Sequence, residues 1–169
     1  MKLKKALSCI FCVIMLFCMA SCAADNVNTP TNDNNNSAQL PNPIVHYESI
    51  EELRKAVDFD FVVPAELPEG YHLVDMSLIA GTVVQFIYQG DDKELIYRCG
   101  KADPQTDISG DYTPYSSIDQ VSIENATVTI RGDDDTVSLA TWEDGDLNYS
   151  LHSDPPIARD LIKSYLESI

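Results

Sequence analysis

The sequence predicts an α+β fold: a curved antiparallel β-sheet meander of about six or seven strands, with an N-terminal and a C-terminal helix packed on one face. Three observations carry this. Apolar residues recur at helical spacing near the two ends of the region 44–169, at Ile50, Leu53, Ala56 and Val57 and again at Ile157, Leu161, Ile162, Tyr165 and Leu166. Between them the pattern changes to short runs that alternate or nearly alternate, separated by Gly, Asp and Asn. Alternation marks strands with one wet and one dry face, and the dry face needs a cover that two amphipathic helices can supply.

Each element has a local reason. Ser49-Ile50-Glu51-Glu52 is a capping box, so a short helix is expected over 50–58. Phe59, Phe61, Val62 and Val63 form an apolar extended run that Pro64 ends, and Leu67 to Tyr71 reads as a turn. Strands are expected at 72–80, at 82–89 and at 94–99, with Gly81 ending the first and Gly90-Asp91-Asp92-Lys93 turning the second into the third. Residues 101–117 break the rhythm with Pro104, Gly110 and Pro114; long irregular stretches are where binding tends to reside. Strands resume at 121–124, 127–131, 137–142 and 147–152, the last two joined by the tight-turn pair Asp144-Gly145. The closing helix takes Ser153 or Asp154 as its cap, with Pro155-Pro156 in its first turn.

The start of the chain reads as an address. Lys2, Lys4 and Lys5 precede Ala6 to Ala20, a run of 15 residues whose only polar side chain is Ser8. A spanning helix needs about 20 apolar residues, so the run is short for a permanent membrane span. Met19-Ala20-Ser21-Cys22 resembles the lipobox of bacterial lipoproteins, with Met19 where Leu is commonest. That resemblance implies cleavage before Cys22 and lipidation of Cys22. Two acyl chains hold a protein stably at about 0.8 kcal/mol per buried methylene, with no spanning helix. The expected division is a lipoprotein signal peptide at 1–21, a lipidated cysteine and disordered linker at 22–43, and a single α+β domain at 44–169. The linker, rich in Asn, Asp, Thr and Pro, cannot bury enough apolar surface to order itself, and its reach is about 25 Å.

Charge narrows the partners. The 169 residues carry a net charge of −16, and loss of residues 1–21, which hold three lysines and no acid, would leave −19. Such a chain is repelled by nucleic acid, which is excluded as a partner. Cys9, Cys12 and Cys18 fall within the signal and Cys22 takes the lipid, so Cys99 is alone and expected to be a buried apolar residue rather than a reactive thiol.

No motif announces catalysis. The histidines are His46, His72 and His152, and neither H-E-x-x-H, G-x-S-x-G nor a Gly-rich phosphate loop occurs. No enzyme, no catalytic residue, no metal site and no cofactor is expected. The acidic groups Asp133-Asp134-Asp135, Glu143-Asp144-Gly145-Asp146 and Asp103, Asp107 and Asp111 could suit calcium, but none has EF-hand spacing, and solvated turns are the plainer reading. Arg131-Gly132-Asp133 spells an adhesion tripeptide at an ordinary strand-to-turn junction. The candidate interaction surface is the irregular stretch, through Asp107, Ser109, Asp111, Tyr112 and Tyr115, where the tyrosines offer amphipathic contact area. The plainer alternative is that Asp107, Ser109 and Gly110 build a tight turn and the tyrosines cover the sheet edge.

Glu66-Leu67-Pro68-Glu69-Gly70-Tyr71, Asp107-Ile108-Ser109-Gly110-Asp111-Tyr112, Ala140-Thr141-Trp142-Glu143-Asp144-Gly145 and Tyr149-Ser150-Leu151 occur in that order. In them the chain resembles the uncharacterised extracytoplasmic domain of unknown function 4367, found mainly in Gram-positive lipoproteins and membrane proteins. The resemblance covers about residues 44–169 and implies no activity, cofactor or catalytic residue. The expectation is a lipoprotein anchored in the cell membrane on its extracytoplasmic face. It would act as a binding or sensing module for a protein or envelope polymer, or alternatively as a carrier of an apolar ligand between sheet and helices.

Overall fold

The computed structural model describes residues 43–167 apart from 65, 66, 68, 69 and 124. The expected signal peptide, Cys22 and the linker up to residue 42 lie outside the described residues. Among the described residues two short helices and eight strands follow one another as β1 (Ile44–His46), α1 (Ile50–Ala56), β2 (His72–Ile79), β3 (Val83–Gly90), β4 (Lys93–Lys101), β5 (Ser117–Ile123), β6 (Ala126–Gly132), β7 (Thr136–Asp144), β8 (Leu147–Ala158) and α2 (Arg159–Leu166). All eight strands form one open antiparallel sheet in the order β1-β2-β3-β4-β8-β7-β6-β5. The fold is thus α+β as expected, with eight strands instead of six or seven. It is also two four-stranded meanders rather than one. They meet where β4 pairs with β8, Tyr97 against Leu151.

Three further differences have plain causes. β1 is only three residues long and escapes any periodicity test; it exists because β2 offers it an edge, and the Pro43 carbonyl accepts from the Ala80 amide at 2.6 Å. The expected strand 121–124 starts earlier, at Ser117, where polar Ser117, Asp119 and Gln120 hide an edge strand. Pro155 and Pro156 do not open the last helix. They lie within β8, in a bulge that sets His152 opposite Leu139 and Ile157 opposite Val137. Proline donates nothing to a ladder, so a bulge is where a strand tolerates it. The helix starts at Arg159, and neither Ser153 nor Asp154 caps it.

The expected capping box is present in part: Ser49 Oγ accepts from the Glu52 amide at 3.3 Å. α1 sends Leu53, and α2 sends Ile162 and Leu166, into one apolar core on one face of the sheet. A cross-strand row on that face reads Met76, Phe86, Tyr97, Leu151, Ala140 and Ile130. Cys99 lies fully buried beside this row, and burial pushes its thiol up to about 12, which keeps it an unreactive apolar filler. Among the described residues no helix is long and apolar enough to cross a membrane.

Candidate functional site

Side chains alternate along a strand, so the apolar row has a neighbour on the opposite face. Register makes that neighbour His46, Ser77, Gln85, Arg98, Ser150, Thr141, Thr129 and Gln120, one residue from each strand. Every member is polar, from one edge of the sheet to the other. Half of the row is wired together. His46 Nδ1 lies 2.6 Å from Asp75 Oδ1, Ser77 Oγ donates to the other Asp75 oxygen at 3.1 Å, and Gln85 Nε2 donates to Ser77 Oγ at 3.3 Å. Arg98 Nε then donates to Gln85 Oε1 at 2.8 Å.

A strap crosses this face. After β4, residues 102–116 must travel from the middle of the sheet past β8, β7 and β6 to reach β5 at the far edge. Arg98 fastens it, because its guanidinium donates to the carbonyl of Ile108 at 3.2 Å and to that of Ser109. Burial pulls the Arg98 pKa down from its ordinary value, and the Asp107 carboxylate counters it. Asn148 Nδ2 holds the carbonyls of Asp103 and Thr106, each at 3.2 Å. Gly110 is the residue that lets the strap lie this close: its φ is +66°, and a Cβ there would come within 2.6 Å of the Arg98 guanidinium.

The strap also holds itself. Asp107 Oδ1 accepts from the Ser109 amide at 2.8 Å, Ser109 Oγ from the Asp111 amide at 3.1 Å, and Asp111 Oδ1 from the Thr113 amide at 2.8 Å. These are three successive side-chain turns of the same kind, each two residues on from the last. Asp111 Oδ2 accepts from the Tyr115 hydroxyl and lies 3.4 Å from His152 Nε2. The five candidate residues therefore divide. Asp107, Ser109, Asp111 and Tyr115 build the strap, while Tyr112 is 94% exposed and covers nothing. Of the acidic groups weighed for calcium, no three His, Cys, Asp or Glu converge on a metal position among the described residues. Within the adhesion tripeptide, Arg131 is engaged by Thr141 Oγ1 at 3.1 Å and by Asp107 at 3.8 Å, and Gly132 is packed against the Thr136 carbonyl.

Asp111 gives the strap a pH dependence. Burial alone would raise its pKa; hydrogen bonds from Thr113 and Tyr115, then the nearby His152 ring, outweigh that and hold it below the ordinary 3.8. A carboxyl depressed in the folded state contributes stability that is fully present above its unfolded pKa and is lost as pH falls through the folded one. Urea melts between pH 6 and pH 2 should therefore show an acid-side loss beginning near 3.8 that is smaller in Asp111→Asn. An unchanged acid limb in the variant would mean that Asp111 is not held as described.

Between the strap and β5–β7 lies a groove of about 490 Å³. The strap contributes Gln105, Thr106, Asp107 and Ile108; the sheet contributes Gln120, Thr127, Thr129, Arg131, Thr141, Glu143 and Asn148, with Trp142 and Tyr149 at one end. Those two rings stack at 5.2 Å and within 4° of parallel. Most of this lining consists of neutral hydroxyls and amides, which both donate and accept. The sequence reading found the strap and missed the sheet half of the groove. Its members come from four strands, β5 to β8, and the available signal was a polar residue inside an apolar run, such as Thr129 between Val128 and Ile130. The family model for Domain of unknown function (DUF4367) matches residues 62–169. No curated protein and no solved structure matches the chain.

Proposed function

The chain belongs to the family Domain of unknown function (DUF4367), and we propose that this member is a binding module tethered by a lipid on Cys22 to the extracytoplasmic face of the cell membrane. Its site is the groove beneath the strap, its partner is a protein or envelope polymer, and it carries out no chemistry. The groove is the observation that supports this reading: about 490 Å³ falls within the roughly 300–1,000 Å³ of ligand sites, and its lining is polar but mostly uncharged. A partner would meet a preformed floor, because the strap is pinned by Arg98 and Asn148 rather than folded by the ligand.

The carrier reading has one support, a depression of about 270 Å³ on the helix face, lined by Val62, Ile123, Ala126, Val128, Trp142 and Leu166 among others. It is smaller than a typical ligand pocket, and the centre of that face is filled by Phe61, Phe86 and Tyr97.

The test is photo-crosslinking on intact cells from a benzophenone side chain placed at Thr129, in the groove, and at Asp91, in the distant β3–β4 turn. A discrete adduct from Thr129 and none from Asp91 is expected. Equal labelling from both positions, or none from Thr129, would remove the groove as the site. In the same cells Cys22→Ala should move the protein from the membrane pellet to the soluble fraction, and retention in the pellet would remove the lipid anchor.

A further inference from the structure

We infer that the partner's bound segment is an extended peptide, inserted as a short strand where β6 and β7 part. The inference rests on the groove being the binding site proposed above and adds the class of partner.

The sheet is split at this point. The β5–β6 hairpin closes on Ile123↔Ala126 and the β7–β8 hairpin on Asp144↔Leu147, so both are paired to their tips. The ladder between β6 and β7 stops short, at Thr129↔Thr141. In the same register Val128 would meet Trp142 and Thr127 would meet Glu143, and neither pair forms. Main-chain groups of alternate residues in an antiparallel strand face the same neighbour. Counting from the hairpin closures, Thr127 and Thr129 on β6 turn their N–H and C=O toward β7, and Thr141 and Glu143 turn theirs toward β6. Thr129 and Thr141 find each other. The groups of Thr127 and Glu143 open into the split, and an unpaired strand edge is a template for another strand.

The split is also hollow on both faces. The polar groove lies on the strap side and a depression of about 270 Å³ on the helix side, where Val128 and Leu166 stand beside Glu143 and Asp144; Trp142, Glu143 and Tyr149 line both. An extended peptide sends successive side chains to opposite faces. One segment therefore fills both hollows at once, with polar residues under the strap and an apolar residue toward Leu166. A polysaccharide has hydroxyls for the groove but neither main-chain amides in strand register nor an alternation of faces. Glu143 and Asp144 beside the split, on a chain of net charge −16, disfavour an acidic segment. The preferred sequence alternates polar–apolar–polar, lacks Asp and Glu, and is neutral or carries lysine.

The experiment selects heptapeptides from a displayed random library on the full chain, then titrates the best synthetic peptide while amide shifts are followed by NMR. The expected result is an alternating, acid-free consensus whose binding moves the Thr127 and Glu143 amides. N-methylation of its strand-facing amides should weaken it at least tenfold. Thr127→Pro, which removes an N–H on the split side only, should weaken the unmethylated peptide as well; the methylated peptide makes the same test if that variant does not fold. A selected peptide that binds equally well when methylated, or that shifts other amides, overturns the inference. Cellohexaose serves as the neutral glycan probe. If it moves the Thr127 and Glu143 amides and no peptide does, the groove stands as the site and the peptide inference falls. If neither probe moves them, both fall.

Discussion

Replacing Arg98 by methionine should lower the unfolding free energy by about 3 kcal/mol and release the strap from the sheet. Among the described residues, Arg98 is the side chain that joins the wired half of the polar row to the crossing loop. Its Nε bonds to Gln85, and its guanidinium bonds to the carbonyls of Ile108 and Ser109. Methionine keeps most of the stem and its packing, so the loss reports the hydrogen bonds. Gln85 is buried and would lose the partner of its oxygen, and two strap carbonyls would lose theirs. Bonds to a charged donor contribute more than neutral ones, and the orphaned groups add their desolvation cost. Urea melts measure the first effect. Hydrogen exchange measures the second, through faster exchange of the Ser109, Asp111 and Thr113 amides while those of the core row stay protected. A variant with unchanged strap exchange would show that the strap is held by its own turns and not by Arg98. Peptide or polymer binding should weaken with it, since one wall of the groove is the strap.

That hinge was invisible in the sequence for a physical reason. Arg98 sits between Tyr97 and Cys99, and a pattern reader sees only an imperfect strand. Its partners are Gln85, in the strand before, and the backbone of residues 108 and 109, beyond the end of its own strand. Nothing local says that the loop will fold back over the strand it has just left. What was legible had a local cause: the cap at Ser49, the alternation in β3 and β8, the turn residues at Asp107 and Gly110. Candidates Asp107, Ser109, Asp111 and Tyr115 came from the right stretch because turn chemistry is written in adjacent residues. Their role in building the strap depends on His152 and Arg98, which arrive from other strands.

The errors follow the same division. β1 and the first half of β5 are strands because an edge was free to accept them, and their own residues say little. Pro155-Pro156 satisfied the rule for a helix start, yet β7 continued to pair beyond them, and the tertiary ladder overrode the local signal. The strand order could not be read either. A meander is the natural reading of evenly spaced strands, and only the length of the stretch 101–117 hinted that the chain there has farther to go.

The largest loss of stability is expected from Phe86→Ala, about 4 kcal/mol. Phe86 is fully buried in the apolar row, between Met76 and Tyr97. Its ring meets Phe61 at 5.9 Å, Tyr97 at 6.2 Å and Tyr88 at 6.4 Å. Through Phe61 it reaches the segment after α1, where the Arg54 guanidinium lies 4.5 Å above the Phe61 ring. Truncation leaves a cavity that the sheet backbone cannot close, because the β2, β3 and β4 ladders fix the spacing of its floor. Phe86→Leu should cost far less. Leu161→Ala, half-exposed on α2, should change the urea midpoint little. A loss near 1 kcal/mol for Phe86→Ala would mean that the helices and the 59–63 segment pack independently of this row. The same variant separates scaffold from site. Gln85 and Phe86 are neighbours on one strand and face opposite sides of the sheet, so the cavity opens under the helices and not under the strap. Folded Phe86→Ala protein at low temperature should bind a groove ligand as tightly as the parent, whereas Arg98→Met, less destabilised, should bind it more weakly. Stability and binding would then fall in opposite order in the two variants, as the two faces of the sheet require.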